Sequence, residues 1–164
     1  MIFKSDELLT ELKTLVQTHI TFSKSLLEIS EKQLQSKLNK DSWSVLECLE
    51  HLNLYGDFYI PEIKRRLQKS MSKPSHNFKS GFLGNKFAID MLPKEKMKTM
   101  NTFKSKNPIN SSLDKEKVIL RFIHQQEKML ELLESSKSKN LNKIKTSITP
   151  VSYTHLTLPT ICSV

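Results

Sequence analysis

Five histidines and two cysteines are the side chains of this 164-residue chain best suited to hold a metal or move a proton near neutral pH. Most of them have no spacing partner: there is no His-Glu-x-x-His motif, no Ser/His/Asp set, no Gly-rich phosphate loop and no cysteine pair. His51 is the exception, because its neighbours define where it points. Ser44 followed by Glu47 is a capping box that starts a helix, with Trp43 just before the cap as an apolar staple. Val45, Leu46, Leu49 and Leu52 then mark an apolar face at helical spacing. His51 lies two turns in, beside that face, with Glu47 and Tyr55 as its i−4 and i+4 neighbours and Cys48 at i−3. The cap fixes the helix start, and the start directs the imidazole toward the inner or lateral side.

The pattern Trp43-Ser44, Glu47, His51-Leu52 resembles the second-helix signature of the DinB-like family of four-helix-bundle proteins, and the resemblance extends over most of residues 1–150. It implies an all-α bundle with a long crossover and a divalent-metal site of three histidines, one at the position of His51 and two on the last helix. It also implies a metal-dependent hydrolase or a thiol-transferase-like enzyme, although many members have no known reaction. The metal, which the sequence does not identify among Zn, Ni, Fe and Mn, would lower the pKa of a bound water or thiol. His51 is then the metal candidate. Tyr55, one turn on, is the catalytic candidate, since its hydroxyl could reach a metal-bound water or the substrate; core packing is its bland alternative. The implied partner is a small-molecule substrate, a thiol among the candidates, and a homodimer is compatible with the pattern.

Three segments must position these residues. Their apolar stripes predict long helices near 6–29, 44–69 and 114–138, and no sheet. The first carries Leu8, Leu9, Leu12, Leu15, Val16, Phe22, Leu26 and Ile29. Its His19 is either an extra ligand or, as the surrounding Leu15, Val16 and Phe22 favour, a packing residue at the stripe's edge. Leu34 and Leu38 anchor the connection that follows, with Asn39-Lys40-Asp41 as its turn. Pro61 predicts a kink in the second helix, with Gly56 adding slack. Residues 70–112 form a long crossover containing a short helix of Phe82, Leu83, Phe87, Ala88, Met91 and Leu92, stopped by Pro93. It reads equally as a functional lid or an apolar flap. His76 reads as exposed, and His124 falls off the stripe of the third helix.

Composition narrows the function. The formal charge of +9 points to nucleic acid or an anionic membrane, or to a Lys-rich solvated surface. Arg65, Arg66 and Arg121 are the sole arginines and the lysines are scattered, so specific nucleic-acid binding is not expected. No apolar run approaches the ~18 residues of a membrane span, the N-terminus lacks a signal-peptide pattern, and two cysteines make no disulfide framework. A cytoplasmic protein with no membrane partner is the expectation.

Residues Val151–Thr160 resemble one reading frame of a transposase adapter used in sequencing libraries, and a Lys-rich chain becomes a tail without charge there. The expected organisation is therefore an incomplete helical-bundle domain over 1–150 and a non-native tail over 151–164, which removes His155 and Cys162 from consideration. The fourth helix and its two histidines would be missing, leaving an apolar groove, one matched ligand where zinc catalysis needs about three, and weak or absent metal binding. A DinB-like protein inactive in this form is the first expectation. A non-catalytic helical binding module is the alternative.

Overall fold

The computed structural model describes residues 1–91, 102–147 and 155–157. In chain order it has strand β1 (Ile2–Lys4), helix α1 (Ser5–Leu26), the one-turn helix α2 (Glu31–Leu34), helix α3 (Val45–Lys69), strand β2 (Asn77–Lys79), helix α4 (Phe82–Met91), helix α5 (Lys115–Ser136), and strands β3 (Lys145–Ser147) and β4 (His155–Thr157). Single 3₁₀ turns lie at Lys104–Lys106 and Leu141–Lys143. The fold is all-α in class, and α1, α3 and α5 occupy the three segments whose stripes predicted them.

α5 is the helix on which the other two pack. Lys13 pairs with Glu134 and Lys115 donates to the Leu27 carbonyl, so α1 runs antiparallel to α5. Asn53 donates to the Val118 carbonyl while Leu67 and Leu132 line one cleft farther along, so α3 runs parallel to α5. Parallel neighbours cannot be joined by a hairpin, which is the physical reason for the long crossover. Leu9, Leu12, Val16 and Ile20 of α1, Leu46, Leu49, Ile63 and Leu67 of α3, and Val118, Ile119, Phe122, Ile123, Leu132 and Leu133 of α5 share one core. Each such side chain contributes about 1.5–3 kcal/mol by leaving water.

Several expectations need correction. Two short antiparallel ladders exist where no sheet was predicted: β1 pairs with β2 and β3 with β4. Each strand has three residues, too short for an alternating pattern to show. The first ladder buries Phe78 and stacks it on Phe3 at 6.3 Å. Leu38 is 98% exposed and anchors nothing, because Leu34 at the end of α2 already fills the core. Phe22 is 59% exposed and its place in the core belongs to Ile20. α3 has Pro61 inside its span, as expected, but Gly56 serves close packing rather than slack: a Cβ there would lie 2.1 Å from Gln125 Oε1. α4 forms where the short helix was predicted, whereas Leu92, Pro93 and the following residues to 101 lie outside the described residues. Of the tail set apart at 151–164, His155–Thr157 is described, and it pairs with Lys145–Ser147. No described helix is long and apolar enough to cross a membrane.

Candidate functional site around His51

The start of α3 builds the site. Ser44 is the N-cap in extended conformation; its Oγ accepts from the Glu47 N–H at 3.2 Å, and Glu47 Oε2 accepts from the Ser44 N–H at 2.8 Å. The predicted capping box is therefore present on both sides. Glu47 does more than cap. Its other oxygen accepts from Lys37 Nζ at 2.7 Å and from the Asn110 N–H at 2.6 Å, with the residue 3% exposed. Those donors outweigh the opposing effect of burial, which is the largest single influence on the group, and hold the carboxyl below the ordinary glutamate range. One buried carboxylate thus ties together the segment before α3, its first turn and the crossover. Asn110 adopts the left-handed conformation (φ 60°), which asparagine tolerates better than most residues.

The second tie falls on His51 itself. Its Nδ1 donates to the Lys106 carbonyl at 2.7 Å. A carbonyl can only accept, so Nδ1 carries the proton, and in the neutral ring Nε2 keeps its lone pair. The half-buried imidazole lies between Trp43, 4.6 Å away between ring centroids, and the edge of Tyr55 at 5.0 Å. The predicted staple residue therefore packs on the histidine. Tyr55 stacks on Tyr59 at 6.1 Å, and Tyr59 meets Phe58 at 5.1 Å, giving a ladder of rings along α3. Burial, with the neighbouring Tyr55 adding to it, pushes the Tyr59 hydroxyl up to about 12, so it stays protonated. Lys106 closes the arrangement: its ammonium lies 5.7 Å from the centre of the Tyr55 ring and donates to the Leu54 carbonyl at 2.5 Å.

Sequence pattern alone brings His51 and Tyr55 together, and the structure does the same. It leaves the other histidines apart. His19 is half-buried on α1, with its imidazole pKa lowered mainly by burial, against a hydrogen bond that the ring donates to the Gln126 side chain; it is a packing residue. His124 is exposed beside Glu127. His76 is exposed, and its carbonyl receives the Ser5 N–H. His155 belongs to β4. Cys48 has its thiol pushed up by burial and then by the Glu47 charge, the opposite of an activated thiolate.

A divalent metal needs more than one imidazole. Among the described residues no group of three or more His, Cys, Asp or Glu converges. The carboxylates along this face have other duties. Glu47 is saturated as above, Glu50 pairs with Arg121 at 2.9 Å, and Asp57 accepts from Arg121 and from Gln125. His51 has the orienting carbonyl bond typical of a metal-ligating histidine. The remaining groups beside it, two aromatic rings and an ammonium, do not complete a donor set. Lys106 and Asn110 were not legible as site residues, since each sits in a Lys- and Asn-rich stretch without periodicity; the Asn107-Pro108 turn signal marked only a bend.

No curated protein and no solved structure shows significant similarity to the chain. Residues 14–158 match the profile of the DinB superfamily, a span that begins within α1, takes in all of α3 and α5 and runs past residue 150. The chain belongs to the DinB superfamily.

Proposed function

We propose that this protein has the metal-directed site of a DinB-like hydrolase or thiol-transferase-like enzyme in rudimentary form, with His51 as one ligand and Tyr55 beside it toward a small-molecule substrate, a thiol among the candidates. The observation that carries this reading is the 2.7 Å bond from His51 Nδ1 to the Lys106 carbonyl. It selects the tautomer whose Nε2 can ligate, and histidines of metal sites are fixed in this way. A bound metal would supply an activated water or thiol. The chain's own contribution is narrower: Trp43 and Tyr55 hold the ring plane and cover part of it, and the Lys106 carbonyl holds its tautomer. With one donor among the described residues, metal affinity is weak and turnover by this chain is slight.

The second reading is a non-catalytic helical binding module. It is favoured by the commitment of Glu47, Glu50 and Asp57 to other partners, which leaves none of these three carboxylates free for a metal. Metal content after dialysis against Zn, Ni, Fe or Mn separates the two. Saturable metal that is lost in His51→Ala supports the metal-directed site. Metal content that is negligible, or unchanged by His51→Ala, rejects it in favour of the binding module.

A further inference from the structure

The charge of this protein is unevenly placed. The half of the bundle nearest His51, residues 14–57 and 102–127, carries nine basic and nine acidic side chains. The opposite half, residues 1–13, 62–80 and 128–147, carries thirteen basic and six acidic ones. Part of that excess is fully available: Lys69, Lys73, Lys79 and Lys143 are exposed and take part in no ion pair among the described residues. Backbone ties bring their segments together below the ends of α3 and α5. Lys139 donates to the Ser70 carbonyl and the Asn140 N–H to the Ser72 hydroxyl. The Asn142 side chain donates to the Asn77 carbonyl and accepts from the Lys79 N–H.

Apolar side chains stand among these lysines. In the β1–β2 ladder Phe3 is opposite Phe78 and Ile2 opposite Lys79. Opposed residues share a face and faces alternate along a strand, so Phe78 turns into the core while Ile2 and Lys79 turn out together. The Met1 carbonyl accepts from the Ser80 N–H, which brings exposed Met1 beside the start of α4, whose first residue, Phe82, is 87% exposed. Met71, 95% exposed, lies between the pinned serines Ser70 and Ser72. Exposed apolar residues alone decide nothing, since Leu38 and Phe103 are exposed at the His51 end, where the charges balance. Apolar tips ringed by unpaired lysines match one surface, a bilayer with anionic headgroups: the tips enter the acyl boundary and the ammonium groups meet the headgroup charge. We propose that this end of the bundle docks peripherally on an anionic lipid bilayer. A polynucleotide would match the charge, but the aliphatic Met1, Ile2 and Met71 offer its bases no ring to stack on. Surface docking needs no spanning helix, so the proposal revises the expectation of no membrane partner. It is independent of any metal at His51.

The test is cosedimentation of the full chain with two kinds of vesicle, phosphatidylcholine alone and phosphatidylcholine with about one part in three of phosphatidylserine, at about 0.1 M salt. Partition into the phosphatidylserine vesicles, roughly tenfold or more above that into phosphatidylcholine alone, is expected, because each lysine near such a surface is worth about fivefold. The double variant Lys73→Gln with Lys79→Gln should lose about tenfold or more of that partition. Met71→Ser with Phe82→Ser should lose about tenfold as well, which a contact through charge alone would not show. Lys32→Gln with Lys40→Gln, exposed lysines of the charge-balanced half, should leave it unchanged. All six positions are exposed, so urea midpoints should stay where they are and report that each variant is folded. Equal partition into the two vesicles, no partition into either, or an equal loss from the Lys32 and Lys40 variant overturns the proposal. So does partition that Met71→Ser with Phe82→Ser leaves intact, or single-stranded polynucleotide that binds more tightly than the vesicles, since either result assigns the lysines to a polyanion instead.

Discussion

Replacing Glu47 by alanine should loosen two things at once, the start of α3 and the tautomer of His51. Three donors converge on this carboxylate: the Ser44 N–H, Lys37 Nζ and the Asn110 N–H. Ser44 is 3% exposed, so its N–H would lose its partner without gaining water, at a cost of about 1–3 kcal/mol. The exposed Asn110 can rehydrate, and the loss there is nearer 1 kcal/mol; Lys37 returns to water almost freely. Together the substitution should cost about 2–4 kcal/mol in urea unfolding. Glu47→Gln should cost less but not nothing, since its amide nitrogen faces a donor. The pH dependence has a definite sign. The folded carboxyl is held below its unfolded value, so its stabilisation is present above about pH 4.3 and is lost as pH falls through the folded value. Glu47→Gln should flatten that limb. The second effect is local. Freed of Asn110, residues 106–110 lose one of their ties to α3, and the Lys106 carbonyl becomes a less constant partner for His51 Nδ1. Long-range nitrogen–proton NMR of the imidazole reads this directly: the Nδ1–H tautomer should dominate in the unaltered chain and decline in both variants. A stability change under about 0.5 kcal/mol with an unchanged tautomer would refute the role given to Glu47.

Other substitutions test the frame around the site. Gly56→Ala places a Cβ 2.1 Å from Gln125 Oε1, and Gln125 is held by the Asn53 carbonyl and Asp57, so the cost should be about 1–3 kcal/mol. The double variant with Gln125→Ala should recover part of that loss in a coupling cycle read from urea midpoints. His19 has its folded pKa lowered, mainly by burial, so its stabilisation is present above about pH 6.5 and is lost as pH falls toward the folded value; His19→Gln should flatten this limb in thermal melts. Nucleic acid should bind weakly and without sequence preference. Submicromolar, sequence-selective DNA binding near 150 mM salt contradicts that reading, since nonspecific contacts alone give Kd of roughly 10⁻⁴–10⁻⁶ M.

The long helices were legible because each buries one stripe and the stripe has a period. Leu9, Leu12 and Val16 are visible at a glance, and so is the Ser44–Glu47 box. Errors came at the edges of the stripe. Phe22 and Ile20 are both apolar and two residues apart, and which one enters the core depends on the angle at which α1 meets α5, a tertiary quantity that no window of sequence contains. The ladders were illegible for a different reason: three residues carry too few alternations to exceed chance, and β1 owes its existence to β2, seventy-odd residues away.

The site divides along the same line. Its α3 half is local: Trp43, His51 and Tyr55 meet because one helix spaces them so. Its other half, Lys106 and Asn110, arrives from the crossover, and the link runs through a backbone carbonyl and a backbone N–H, groups that every residue except proline possesses. Side-chain identity at position 106 says nothing about a carbonyl. What the identity does contribute is the ammonium, which donates to the Leu54 carbonyl and so holds that segment down one turn beyond the histidine. Lys106→Met therefore separates the two functions of one residue. The carbonyl remains and the clamp goes, so the Nδ1–H tautomer of His51 should persist while its ring loses order, seen as broadening of the imidazole resonances with little change in global stability. A tautomer that inverts in Lys106→Met would show that the side chain, and not the backbone tie through Asn110 and Glu47, sets the state of the imidazole.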